Sequence, residues 1–167
     1  MIRFFLSRIK EGHSEFEEQV SPFDIELLKE DGFTSPVDIF YLVDKVGEEI
    51  FVKTRLRTRV ELVCDRCLEP YVLALDETIS SIMTPDEKLA ARNDEDIYLI
   101  AKTTNEVDIT EAVRDTLLLA IPYKKLCHVD CKGLCPHCGA NLNLTQCTCG
   151  DNYRDPRWEA LSKLKFD

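Results

Sequence analysis

The sequence lacks any run of about twenty apolar residues, although 44% of its 167 residues are hydrophobic. A membrane-spanning helix needs such a run, so we expect no membrane partner. The apolar stretch at the N-terminus is short and is interrupted by Arg3, which is untypical of a secretory signal. These absences predict a cytoplasmic protein, long enough for one main domain and a small appendage.

The chain also lacks an excess of basic side chains, since its net charge is -10. A protein that coats nucleic acid non-specifically neutralises phosphates with Lys and Arg, so this composition argues against that class. The acidic excess lies in residues 1–120, whereas residues 121–167 carry a small basic excess. Any phosphate-binding surface must therefore be local.

No nucleophile with a neighbouring base is evident. The HSE sequence at 13–15 resembles half of a zinc deaminase motif, but Leu134 stands where that motif has proline before Cys135. The Cys64–Cys67 pair is followed by a strand-like run rather than the helix of a thioredoxin-like motif. We expect no enzymatic activity and no small-molecule substrate.

Eight cysteines are the strongest signal in the chain. In a reducing compartment such thiols bind metal or perform redox chemistry more often than they form disulfides. The C-x2-C pair at 135–138, followed by Gly139 and then by a C-x-C pair, has the spacing of a closed zinc site. The simplest closed site consists of Cys135, Cys138, Cys147 and Cys149.

The other four cysteines predict another site, which joins distant parts of the chain. These are Cys64, Cys67, Cys127 and Cys131. Such a site would attach the cysteine-rich segment to the main domain, and the chain would hold one or two Zn²⁺ ions. His128 and His137 lie among the ligands, but eight thiols suffice for two sites, so we interpret both histidines as bystanders.

Most of the remaining chain has the composition of β-sheet. Residues 37–46, 49–64 and 70–83 are rich in β-branched and aromatic side chains and predict three antiparallel strands. Residues 84–96 are polar and acidic, which favours a loop or a short surface helix, and the composition of 97–102 favours a further strand.

Two helices are predicted near the C-terminal end. In residues 108–121, Asp108 or Thr110 can cap a helix that Pro122 ends. Its sheet-facing residues recur at helical spacing and are Ile109, Val113, Leu117 and Ala120.

The second helix lies in the tail, where Asp155 is a candidate cap and Pro156 suits the first turn. Trp158, Leu161 and Leu164 share one of its faces. The fold class is therefore α+β: an antiparallel sheet, open or curled toward a barrel, with one packed helix. We divide it into a β-rich domain at 1–122, a zinc module at 123–152 and a helix at 153–167.

A basic row occupies one of the predicted strands. Side chains at alternate positions of a strand share a face, and the row consists of Lys53, Arg55, Arg57 and Arg59. One interpretation is a solvated face whose cations pair with Glu48, Glu49, Asp76 or Glu77. The other is a phosphate-binding surface, supplemented by Arg66, Lys124, Lys125 and Lys132.

Three motifs carry a resemblance to a known family. CDRCLEP at 64–70, DITEAVRDTLLLAIP at 108–122 and LCHVDCKGLCPHCGANLN at 126–143, with its following CTC, resemble the YceD family of bacterial and plastid proteins. The similarity extends over nearly the whole chain. It implies a ribosome-biogenesis factor for the accumulation or processing of large-subunit (23S) ribosomal RNA, without established enzymatic activity.

The resemblance leaves three hypotheses open. The first is a zinc-stabilised factor that binds large-subunit ribosomal RNA or a precursor particle. The second is an acidic adaptor that holds a basic ribosomal protein or an RNA-processing enzyme. The third is a thiol redox switch in which oxidation releases the metal.

Overall fold

The computed structural model describes residues 1–90, 96–101 and 103–149. Seven strands, two α-helices and three short 3-10 helices follow one another in these residues. The strands are β1 (Arg3–Phe5), β2 (Gly12–Val20), β3 (Val37–Val46), β4 (Glu49–Val63), β5 (Pro70–Thr84), β6 (Ile97–Leu99) and β7 (Glu106–Asp108). The helices are α1 (Glu87–Ala90) and α2 (Thr110–Leu119), and the 3-10 helices span Leu6–Arg8, Pro22–Ile25 and Lys29–Asp31.

Five of the strands form one sheet in the order β2-β3-β4-β5-β6. The first four are antiparallel, and only β6 runs parallel to its neighbour β5. The predicted antiparallel strands β3, β4 and β5 are present. The curled or barrel-like alternative is wrong: β2 and β6 lie at opposite edges and do not pair within the described residues. Closure would require pairing with β6, which has only three residues.

The edge strand β2 was not anticipated from the sequence. It pairs along its whole length with β3, from Gly12 opposite Lys45 to Val20 opposite Val37. Most of its side chains are exposed, so it lacks the alternation of apolar and polar residues by which strands are recognised. Its charged residues suit an edge that must not pair with another chain.

One hydrophobic core fills the space between the inner face of the sheet, α2 and the N-terminal segments. The alternate residues of β4 that point inward, such as Leu56 and Val60, are fully buried. Val113 and Leu117 of α2 are also fully buried, as their spacing predicted. Asp108 Oδ1 accepts a hydrogen bond from the Thr110 backbone N–H at 2.9 Å, so Asp108 supports the first turn of the helix.

The β4–β5 hairpin extends beyond the strand that covers it. Pairing with β3 ends where Asp38 meets Arg57, but β4 continues to Val63. Gly32 supports this extension, because its carbonyl accepts a hydrogen bond from the Glu61 N–H at 2.9 Å. The tip of the hairpin carries the first pair of cysteines, which is therefore held away from the centre of the sheet.

Two predictions are limited by the part of the chain that is described. The short surface helix expected within 84–96 corresponds to α1, and the helix predicted at 153–167 lies outside the described residues. No helix in the described ranges has both the length and the apolar character needed to cross a membrane.

Candidate metal centres and basic sheet face

The tip of the β4–β5 hairpin is a tight cysteine turn. The Leu68 N–H donates to the Cys64 carbonyl at 2.9 Å, and the Cys64 N–H donates to the Glu69 carbonyl at 3.0 Å. Leu68 has a φ of 59°, a left-handed conformation that a non-glycine residue rarely adopts. The turn brings Cys64 and Cys67 to the same side of the hairpin end.

The cysteine-rich segment docks against this tip through two hydrogen bonds between Asp65 and Lys125. The Asp65 N–H donates to the Lys125 carbonyl at 2.8 Å, and the Lys125 N–H donates to Asp65 Oδ2 at 2.7 Å. These bonds place the next two cysteines, Cys127 and Cys131, beside the hairpin pair.

The first quartet consists of Cys64, Cys67, Cys127 and Cys131, whose Sγ atoms all lie within 4.8 Å of one another. The Cys64–Cys131 and Cys67–Cys127 Sγ atoms are each 3.7 Å apart. Four sulfurs at 2.3 Å from a tetrahedral zinc ion would be about 3.8 Å apart, whereas a disulfide would bring two of them to about 2.05 Å. The spacing therefore fits a metal.

The second quartet consists of Cys135, Cys138, Cys147 and Cys149, also within 4.8 Å of one another. The Cys147 Sγ lies 3.3 Å from that of Cys135 and 3.5 Å from that of Cys138. Cys138 and Cys149 are exposed, whereas three members of the first quartet are buried. The grouping is the one predicted from spacing, and the two centres differ in access to solvent.

The thiols of each quartet have opposed proton affinities. Burial raises the pKa of Cys64, but backbone N–H groups of Cys67, Cys127 and Arg66 outweigh it and bring that pKa to about 6. Backbone N–H groups of Cys138 and His137 likewise lower the pKa of Cys135 to about 6.

Within the same quartets other thiols are held neutral. Burial and the neighbouring Cys131 thiol raise the pKa of Cys127 to about 12. The Cys147 and Cys138 thiols raise the pKa of Cys149 to about 12. Four thiolates so close together need a cation to ionise together, and that is what a bound Zn²⁺ supplies. The donor set therefore fits zinc, and neither His128 nor His137 belongs to a quartet.

The two centres are joined through the loop that separates the ligand pairs of the second quartet. Asn143 Nδ2 donates to Cys131 Sγ at 3.3 Å, and Asn143 Oδ1 accepts the Lys132 N–H at 2.8 Å. Asn143 thus belongs to the second loop by sequence but contacts a ligand of the first centre. Sequence reasoning missed it, because nothing distinguishes it there from Asn141 or Gln146.

Arg66 and Gly133 lie in close contact where the cysteine-rich segment docks on the hairpin tip. Arg66 Nη1 donates to the Cys131 carbonyl at 2.7 Å, and a Cβ on Gly133 would lie 3.0 Å from the Arg66 carbonyl oxygen. Arg66, a predicted phosphate ligand, therefore stabilises the docked cysteine segment. Of the other predicted basic residues of this region, Lys124 and Lys132 are exposed and Lys125 is half-buried.

The four basic residues of β4 lie together on the exposed face of the sheet, and the residues between them are buried. Arg55 makes a bidentate ion pair with Asp76, with both N···O distances at 2.6 Å. Arg57 also contacts Asp76, at 3.2 Å. The interpretation as paired cations is thus correct for the middle of the row, with Asp76 as the acid.

The two residues at the ends of the basic row, Lys53 and Arg59, differ from the middle pair in their lack of acidic partners in the described residues. No hydrogen bond or ion pair in the described part of the chain involves the side chain of Lys53 or Arg59. The edge beyond β3 is acidic, and the exposed His13 there contacts Asp44 and Glu15, which raise its pKa. The exposed face therefore changes from acidic at β2 to basic at β4.

Comparison with known proteins gives a consistent set of relatives. The family described as "Large ribosomal RNA subunit accumulation protein YceD" matches residues 52–165. A chloroplastic YCED homolog 1 of Arabidopsis thaliana, named as a large ribosomal RNA subunit accumulation protein, is 32% identical over 127 residues, covering 73% of this chain and 38% of that protein. The Zea mays protein of the same name is 31% identical over 138 residues, covering 66% of this chain and 46% of its own length.

Bacterial relatives also occur. An uncharacterised protein of Mycobacterium bovis is 26% identical over 132 residues, covering 77% of this chain and 61% of that protein. The chain thus spans between about two fifths and three fifths of the length of these relatives. No solved structure matches significantly.

Proposed function

Because the chain belongs to the YceD family, we propose that it is a non-enzymatic factor that supports the accumulation of large-subunit ribosomal RNA. It acts by binding that RNA, or a precursor particle that contains it, through the basic row of β4. The two cysteine quartets hold Zn²⁺ and keep the C-terminal segment docked on the hairpin. The relatives' names provide the pathway, and the exposed cations provide the means of binding.

The observation that carries the proposal is the placement of four cations on one open face. Lys53 and Arg59 lack acidic partners in the described residues and are available to phosphates. Arg55 and Arg57 share a single carboxylate, Asp76. All these groups are about half exposed, so solvent screens the pair and a phosphate can replace Asp76 at little cost.

Charge reversal at the ends of the row tests the proposal. We expect Lys53→Glu with Arg59→Glu to weaken binding to transcribed fragments of large-subunit ribosomal RNA by at least about tenfold in low salt. The slope of log affinity against log salt should become shallower by about 1.4, because two phosphates are no longer neutralised. Asp76→Asn, which frees Arg55 and Arg57, should strengthen binding.

The matched control is Lys10→Glu with Lys29→Glu, which makes the same change in net charge at exposed residues outside the row. Filter binding or fluorescence anisotropy over a salt series gives the affinities, and circular dichroism verifies folding. Equal losses in the two double variants would show that only net charge matters and would refute a specific role of the row.

A second candidate function rests on the acidic edge of the sheet. Glu15, Glu17 and Asp44 are exposed at β2 and β3, and a basic ribosomal protein would complement this surface. Retention of a ribosomal protein after nuclease treatment, with no affinity for RNA in the wild type, would favour this adaptor over the RNA-binding factor.

A further inference from the structure

Apolar side chains accompany the basic row on the exposed face of the sheet. Phe51 and Leu42 are each 40% exposed, and Phe40 is half-buried. Leu42 faces Lys53 across the β3–β4 ladder, and Phe40 faces Arg55. The same face therefore offers two aromatic rings beside the cations that would bind phosphate.

The rings lie along a continuous shallow depression. Phe40, Leu42, Arg55 and Arg57 line one part of it, with Glu15 and Glu17 on the β2 side. Leu42, Phe51 and Lys53 line the next part, with Asp44 beside them. Phe51 faces Asp44, which is four residues from Phe40 on β3, so the two rings are about 14 Å apart along the strands. An extended single strand that follows the depression can therefore place bases on both rings.

We infer that this face binds unpaired RNA, with bases stacked on Phe40 and Phe51 and the phosphates along Lys53 and Arg55. The Arg57 guanidinium lies 5.6 Å from the centre of the Phe40 ring, so this ring face already attracts a flat cationic group. A base that stacks on Phe40 displaces the Arg57 side chain, which is then available to a phosphate. A duplex hides the faces of its bases, and stacking therefore selects single strands and loops. The inference rests on the proposed RNA-binding function and specifies its substrate class.

Removal of the rings tests this selection. We expect Phe40→Ala with Phe51→Ala to weaken binding of an unstructured oligoribonucleotide at least about tenfold and to leave the weaker binding of a perfect RNA duplex unchanged. Phe40→Tyr with Phe51→Trp, which keep the ring faces, should retain the affinity. The matched control is Leu42→Ala, since Leu42 has the same exposed fraction as Phe51 but no π-face.

The outcomes separate the two proposals. Loss of binding in the Lys53 and Arg59 variant with none in the ring variant would overturn the stacking inference and leave the RNA-binding function intact. Equal losses for Leu42→Ala and the ring variant would also overturn it, because apolar contact alone would then explain the effect. No binding in either assay by the wild type would overturn the RNA-binding function itself.

A separate set of contacts supports an inference about the metal centres. The loop 139–146 closes the second quartet, yet its Asn143 contacts Cys131 and Lys132 of the first. The Leu142 N–H also donates to the Gly133 carbonyl at 2.9 Å, and Leu134 forms a bridge with Asn141. Metal binding that orders this loop therefore also orders the segment that holds Cys131, because the two are joined by these hydrogen bonds.

We propose that Asn143 is a positioning residue that couples the two metal centres, so that metal in the second quartet strengthens binding in the first. Its N–H···S hydrogen bond stabilises the Cys131 thiolate and orients it toward the metal. Outer contacts of this kind typically change metal affinity about 10- to 100-fold. By linkage, metal in the first quartet strengthens binding in the second by the same factor.

A double-mutant cycle tests the coupling. Both quartets consist of four thiols, so Co²⁺ competed against Zn²⁺ is followed through the thiolate absorption bands as two binding steps, and the Cys138→Ser variant shows which step belongs to the first quartet. We expect Asn143→Ala to weaken binding there about tenfold, and Cys138→Ser, which disables the second quartet, to do the same. In the double variant the two losses should not add, since both remove one contact.

Gln146→Ala serves as control, because Gln146 is an exposed amide of the same loop. Unchanged cobalt affinity and spectrum in Asn143→Ala would overturn the coupling. Fully additive losses would overturn it as well, since the two centres would then act independently.

Discussion

Cys67→Ser should reduce bound zinc from two ions to one per chain and release the cysteine-rich segment from the β4–β5 hairpin. Cys67 is buried, and its quartet joins parts of the chain 60 residues apart. Zinc binding by small structural sites is worth about 10–16 kcal/mol, and little apolar surface is available at the junction to replace it. We therefore expect a large fall in melting temperature and rapid proteolysis within residues 123–149.

The matched variant is Cys138→Ser, in the exposed quartet. It should also lose one zinc ion but should keep the segment attached to the hairpin, so its melting temperature should fall less. Elemental analysis of purified, reduced protein gives the zinc content, and limited proteolysis gives the attachment. Two zinc ions in both variants, or an equal loss of stability, would contradict the assigned quartets or their unequal roles.

Gly32→Ala should be among the most destabilising single substitutions in the β-rich domain. Gly32 has a φ of 90°, and a Cβ there would overlap the Glu61 carbonyl oxygen of the adjoining strand. Backbone atoms cannot move aside as a flexible side chain can. The substitution must either push β4 away or break the hydrogen bond that the Gly32 carbonyl accepts from the Glu61 N–H.

Gly12→Ala is the control that separates the cost of a positive φ from the cost of steric overlap with the Glu61 carbonyl. Gly12 has a φ of 88°, close to that of Gly32, but no atom lies within 4 Å of the Cβ it would acquire. We expect it to cost about 1–2 kcal/mol of unfolding free energy and Gly32→Ala at least about 3 kcal/mol more. Urea denaturation measures both, and equal costs would show that the overlap is relieved without penalty.

Much of the fold could be predicted from the chain alone. The four cations of β4 stand at every second position, and burial alternates along the whole strand. The period of two in the basic row therefore identified both the strand and its exposed face. The spacing of Val113 and Leu117 likewise identified the buried side of α2. The family resemblance carried by the cysteine and helix motifs is confirmed by the match over residues 52–165.

The edge strand and the contacts between residues distant in sequence could not be predicted from local sequence patterns. Strand β2 has no apolar period because it lies at an edge, where both faces contact water. The pairing of Arg55 with Asp76 depends on the register of two strands, and several acids were equally near in sequence. The contact between Asn143 and Cys131 depends on how two loops fold back on each other, for which sequence offers no pattern.

The distance between the two halves of the buried quartet has a consequence during protein synthesis. Cys64 and Cys67 leave the ribosome long before Cys127, which follows Cys67 by 60 positions. At about 5–20 residues per second, translation needs roughly 3–12 s to produce that interval. During that time the nascent hairpin carries two unprotected thiols, so the ion that completes it can be captured only late, when the C-terminal cysteines emerge.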